Sequence, residues 1–310
     1  MKKYRGSHTT ITLALLLILS GAGGVAHASE PAKLNIDQII KGIEDTQELW
    51  RAQKGWIIKY THTRERIDPP PGKMVEFPDV ELTNARLDNM LSVSYRQPLV
   101  GASGFNEKWF VWDGKRYTER DGARAYIQDT ISPNILSYLW FPMSLMRNPI
   151  PEFHLIPEEA FQHDRELSQM LPYCLEANKT EYRVRPEMEE IDGVKCHVLE
   201  RTGKDIMWIS AELGFSVFRR TLIQPSGDLL TEFKASGFRE YSKGIWLPKR
   251  QIAVAYNNDF DPPEYRRKVR FIMVNNLREA KLGDAPKSAF HVPLPASVPV
   301  EDRRKASVRQ

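Results

Sequence analysis

Ile36, Ile39, Ile40, Ile43 and Trp50, with Gln47 among them, recur three and four residues apart, and Asn35 or Asp37 stands where a cap belongs. That spacing lines one side of a helix and predicts an amphipathic helix running to about Gln53 and ended by Gly55. From Trp56 the period drops to two. Trp56, Ile58, Tyr60 and His62 share one face of a strand, and Ile57, Lys59, Thr61 and Thr63 share the other. The stretch from Asp68 to Gly72 holds a run of prolines and predicts an exposed loop.

Short alternating runs follow at Val80 to Arg86, Met90 to Arg96, Lys108 to Trp112, Lys115 to Arg120 and Ala123 to Asp129. Asp113-Gly114 and Asp121-Gly122 between them are hairpin dipeptides, because glycine accepts the positive φ of a tight turn. A second series runs from Tyr182 to about Asn275, with Asp192-Gly193, Pro225 to Asp228 and Lys243-Gly244 as its turns. Strand follows strand at hairpin spacing, which predicts one extended antiparallel sheet, mainly β with a few helices.

Residues 132–146 depart from this pattern. They are rich in Leu, Trp, Phe and Met and nearly free of charge, and Pro133 suits a first helical turn. They predict an apolar helical insert broken near Pro142, followed by a polar helix from Pro157 to Met170. A buried core helix accounts for the insert without any function. The sharper reading is a lid over an apolar pocket, with Leu136, Leu139, Trp140, Phe141, Met143 and Met146 touching the ligand, since Met and aromatic side chains adapt to varied apolar partners.

The N-terminus changes the meaning of the composition. Lys2, Lys3 and Arg5 precede an apolar run from Ile11 to Leu19, and Ala26-His27-Ala28 ends it in the pattern of a cleavable secretory signal. The run is shorter than the roughly 20 residues that span a bilayer. Residues 1–28 are therefore read as a signal peptide, and the protein as exported, soluble after cleavage and periplasmic. Loss of the signal lowers the formal net charge from +4 to +1, because its three charged residues are all basic. So balanced a chain offers no electrostatic case for nucleic acid.

The two cysteines, Cys174 and Cys196, are free to pair in an oxidising compartment, where the loop they close would be worth about 3 kcal/mol. Two unpaired thiols in a core are the alternative. The seven histidines are scattered, and neither His-Glu-x-x-His nor Cys-x-x-Cys occurs, so no metal site and no cofactor is expected. Gly101-Ala-Ser103-Gly104-Phe105 lacks the final glycine of a nucleophile elbow. Paired glycosidase carboxylates leave no sequence signature, so an exported hydrolase stays open as an alternative.

Three stretches bear on family: Trp112-Asp-Gly-Lys-Arg-Tyr117, Ile191 to Leu199 leading to Met207-Trp-Ile-Ser210, and Tyr241-Ser-Lys-Gly-Ile-Trp-Leu-Pro248. With the order of helix, sheet, apolar insert and sheet, they make residues 35–275 resemble the LolA-like group of periplasmic lipoprotein-sorting proteins, LolB-like and RseB-like domains included. The resemblance implies a strongly curved, unclosed β-barrel with helices over its concave face, in one domain over residues 29–290, while the proline-bearing stretch at 291–310, which has no period, reads as a loosely ordered tail. It also implies a non-catalytic carrier whose partner is a lipid or lipoprotein acyl chain. An envelope membrane protein bound by a sensor or scaffold module is the alternative partner. No position matches the functional arginine of the carriers.

Overall fold

Strand β1 (Gly55–Asp68) lies at the centre of the structure and joins two series of hairpins. The computed structural model describes residues 33–68, 73–76, 78–99, 103–131, 173–257 and 264–305. On one side of β1 pair β2 (Lys73–Glu76) and β3 (Val80–Leu87), and from β3 the sheet continues through β4 (Met90–Pro98), β5 (Phe105–Trp112), β6 (Tyr117–Asp121) and β7 (Arg124–Gln128). On its other side pairs β15 (Val269–Leu282). Beyond it lie β14 (Ile245–Tyr256), β13 (Leu229–Ser242), β12 (Ser216–Ile223), β11 (Asp205–Ser210) and β10 (Val194–Arg201). Strands β8 (Arg183–Val184) and β9 (Glu189–Ile191) both pair with β10.

The register shifts in five of these pairings, including β1 with β15 and β14 with β15. Each such bulge raises the local twist and bends the sheet. The result is one large curved sheet whose end strands do not pair with each other, so it stays unclosed.

Helix α1 (Ile36–Arg51) forms where the periodicity placed it, with Asn35 and Gln38 making both halves of a capping box. Its sheet-facing side carries Ile39, Ile40, Gly42, Ile43, Thr46, Gln47 and Trp50. Trp50 meets Trp56 edge to face at 6.1 Å between centroids. Arg86 Nη1 donates to the carbonyls of Trp50 and Gln53, closing the helix C-terminus. At the other end Gly42 lets the helix approach the turn before β12, because a Cβ there would overlap the Phe215 ring. Thr46 Oγ1 donates to Gly214 O at 3.1 Å in the same contact.

Two apolar clusters lie on the helix-bearing face. One gathers Trp50, Trp56, Ile58, Tyr60, Leu82, Leu91, Val93, Phe110, Tyr117, Ile245 and Leu247. The other gathers the α1 isoleucines with Leu199, Met207, Ile209, Phe233, Ala235 and Ala253, and with Leu175 of the short helix α2 (Tyr173–Ala177). The expected insert and polar helix, residues 132–170, lie outside the described residues.

Several boundaries differ from expectation for physical reasons. The strand expected from Lys115 begins at Tyr117, because Asp113 Oδ1 accepts from the amides of Lys115 and Arg116 and holds them in a turn. At the start of the second series only Arg183–Val184 (β8) pairs before Pro186, which has no amide to donate, and pairing resumes at Glu189–Ile191 (β9). The C-terminal segment expected to be loosely ordered instead returns to the sheet. Arg120, on the face opposite α1, donates to Pro293 O at 2.6 Å, and β16 (Val300–Asp302) adds to β7 as a parallel edge strand. That pairing covers the exposed edge of β7.

Candidate functional site: a polar seam in an apolar face

Strand β1 changes character along its helix-bearing face. Trp56, Ile58 and Tyr60 are buried and apolar, His62 is buried and polar, and Arg64 is exposed and charged, with its guanidinium 5.2 Å from the centroid of the Phe271 ring. At about 3.4 Å per residue, Tyr60 to Arg64 covers about 14 Å.

The register aligns His62 with polar partners on the next two strands. His62 pairs with Asn275 of β15, and Asn275 pairs with Gln251 of β14. The three are 4 %, 3 % and 6 % exposed. They form a seam between Tyr60 and Leu277 of one apolar cluster and Ala235, Ala253 and Met273 of the other.

His62 Nδ1 lies 2.7 Å from Asn275 Oδ1. A carboxamide oxygen only accepts, so Nδ1 carries the hydrogen and donates. Burial pushes the His62 pKa below the usual histidine value, with the Asn275 hydrogen bond opposing and Arg64 assisting the fall. The seam is therefore uncharged at neutral pH. Its third member is less well satisfied: among the described residues the buried Oε1 of Gln251 has no hydrogen-bond partner. Two buried donors toward the α1 end of the face, Gln47 Nε2 and Trp56 Nε1, also lack one among the described residues. Polar groups buried without partners are costly, and a ligand is one way to satisfy them.

A second polar group lies on the same face farther along the sheet. Asp205 accepts from Arg220 and, at 2.6 Å, from the Tyr182 hydroxyl, so that carboxylate is already engaged. Among the described residues no cluster of His, Cys, Asp and Glu could hold a metal ion.

No protein-family model matches the sequence, and no curated protein matches it. Among solved structures the chain is similar to a LolA superfamily protein. That protein, from Nitrosomonas europaea, is 12% identical, with 84% of this chain and 99% of that chain covered at a TM-score of 0.41. A DUF1329 family protein from Desulfovibrio piger is 10% identical, over 83% of this chain and 97% of that one, at a TM-score of 0.37. A putative outer membrane lipoprotein-sorting protein domain from Vibrio parahaemolyticus is 10% identical, over 82% and 97%, at a TM-score of 0.38.

The lid residues expected from sequence, Leu136, Leu139, Trp140, Phe141, Met143 and Met146, lie outside the described residues, as does the signal at 1–28. Among the described residues no helix is long and apolar enough to cross a membrane. Cys196 is a free, buried thiol packed with Val198, Trp208 and Phe218 on the face away from α1, and the side chain of Cys174 lies outside the described residues. Burial, with Glu189 and Glu212 assisting, pushes the Cys196 thiol up to about 12. Sequence reading placed His62 on the correct face but gave no role to it, to Asn275 or to Gln251. The available signal was a polar residue at each position where the alternation demands an apolar one.

Proposed function

We propose that this protein is an exported, non-catalytic carrier or binding protein that holds an acyl chain, of a lipid or of a lipoprotein, against the helix-bearing face of its sheet. One observation carries the reading: a single face of a curved, unclosed sheet gathers buried apolar side chains from both hairpin series, from Phe110 and Tyr117 to Leu199 and Met207. The main path has fourteen strands, which at about 4.8 Å spacing is an arc of about 60 Å. Helix α1, with 16 residues, is about 24 Å long and spans less than half of it. In this reading residues 132–146 complete the cover, with Leu136, Leu139, Trp140, Phe141, Met143 and Met146 as a lid that adapts to its cargo. Binding needs no covalent step, since each methylene withdrawn from water contributes about 0.8 kcal/mol. Residues 1–28 direct the chain to the periplasm.

The test is native mass spectrometry of the purified protein with extraction of bound lipid, alongside titration with a fluorescent fatty acid. Co-purified acyl chains, or saturable binding displaced by palmitate, are expected. A protein that is empty and also fails to bind the fatty acid overturns the reading.

A further inference from the structure

The acyl-chain reading leaves open what lies at the polar end of the chain, and the seam across β1, β15 and β14 bears on it. Resting on that reading, we propose that Gln251 Oε1 accepts a hydrogen bond from an N–H or O–H at the linkage joining the acyl chain to its polar head. The cargo class is thus an amide-linked or hydroxylated acyl chain rather than one joined by a plain ester.

Gln251 is buried, and among the described residues its Oε1 meets no donor. A carboxamide oxygen can only accept, so the missing partner is a donor. The neighbouring Asn275 carboxamide does not supply it: its Oδ1 accepts from His62 Nδ1–H, and its Nδ2, the donor end, makes no hydrogen bond to Gln251 Oε1. An ester brings only acceptors and would place oxygen against oxygen. An amide N–H or a hydroxyl would satisfy the site.

The position along the strands agrees. The seam follows the apolar row of β1 and precedes Arg64. An amphiphile with its tail against Ile58 and Tyr60 would set its linkage at His62, Asn275 and Gln251 and its head toward the exposed arginine. The seam is uncharged, since burial keeps His62 neutral, and suits a neutral linkage better than an ionised group.

The test uses the purified protein and two matched probe pairs, each competing with a fluorescent fatty acid. N-palmitoylglycine is compared with palmitoyl glycolate, which replaces only the amide N–H by an ester oxygen, and 3-hydroxypalmitate with palmitate. The expected result is about tenfold tighter binding of the donor-bearing member of one pair, the fold-change that corresponds to leaving one buried acceptor unsatisfied. The pair that shows it separates an amide from a hydroxyl source. Gln251→Met should abolish the preference while palmitate still binds, and Gln251→Glu, which keeps an acceptor oxygen, should retain it. Equal binding within both pairs by the unsubstituted protein overturns this inference and leaves the acyl-chain reading standing. Failure of every probe and of the fluorescent fatty acid overturns both. If Gln251→Met does not fold, the ratios of the unsubstituted protein and of Gln251→Glu decide.

Discussion

Arg220 of β12 and Asp205 of β11 form a buried ion pair on the helix-bearing face, with Nη2 2.5 Å from Oδ2, Nε 3.1 Å from both carboxylate oxygens, and side-chain exposures of 1 % and 4 %. They are not directly opposite. The register sets Arg220 against Met207 and Asp205 against Leu222, so the pair is diagonal, a spacing that a long arginine can bridge. Tyr182 closes the carboxylate from the chain entering β8. The group ties three segments together beneath the cluster that receives α1.

Removing one partner strands the other charge in the core. Arg220→Met is expected to lower unfolding free energy by about 3–5 kcal/mol, and Tyr182→Phe by about 1 kcal/mol. The double substitution Arg220→Met with Asp205→Leu should recover much of the first loss, because well-packed apolar replacements of a buried pair are often neutral. Urea denaturation measures all three. A cost under about 1 kcal/mol for Arg220→Met would show that the pair is hydrated or dispensable.

The contact of α1 with the sheet rests on a missing side chain. A methyl at Gly42 would overlap the Phe215 ring, and Phe215 is held at a φ of 54° in its turn, which restricts its retreat. Gly42→Ala raises intrinsic helix propensity by up to about 1 kcal/mol, so in an isolated helix it would stabilise. Here overpacking should outweigh that gain and give a net loss of about 1–2 kcal/mol. Trimming the ring by Phe215→Ala in the Gly42→Ala background should relieve the overlap, and a double-mutant cycle on thermal unfolding reads the coupling.

The fold was legible wherever alternation ran unbroken. The face assignment on β1, the start and sheet-facing side of α1, and the positive-φ hairpin at Asp192-Gly193 follow from period and turn chemistry. It was illegible where a bulge or a proline resets the period. On β15 the apolar residues facing the cluster are Leu277, Ala280 and Leu282. The three-residue step across Arg278, where β1 pairing shifts register, hides the second half of that strand from a period-two reading. The tail was missed because β16 is three exposed residues with no core signal of their own. Gln251 and Asn275 were missed because long-range register, which no single strand encodes, makes them neighbours of His62.

Cys196 should be inert in the folded protein. With its thiol pushed up to about 12 and its side chain buried, almost no thiolate exists at pH 8. In a Cys174→Ser background Cys196 is the sole cysteine. A thiol reagent at pH 8 is expected to label it only when denaturant opens the sheet, at a rate that follows unfolding. Rapid labelling without denaturant would place the thiol at an accessible surface.

Stability should fall on mild acidification, and His62 should be one cause. Burial lowers its folded pKa below the unfolded value of about 6.5, so between the two the unfolded chain binds the extra proton and unfolding is favoured as pH drops. The contribution is complete above about pH 6.5 and is lost as pH falls toward the folded pKa. Its slope is at most about 1.4 kcal/mol per pH unit. His197, whose pKa is also lowered by burial, acts in the same direction. Chemical denaturation from pH 8 to pH 5 is therefore expected to show declining stability, with a shallower decline in His62→Gln, which keeps a donor toward Asn275 Oδ1 but cannot titrate. His197→Gln should flatten the profile independently, because the two histidines lie on β1 and β10, with five strands between them in the sheet. A profile for His62→Gln that parallels the unsubstituted protein would mean that the imidazole is already solvated in the native state.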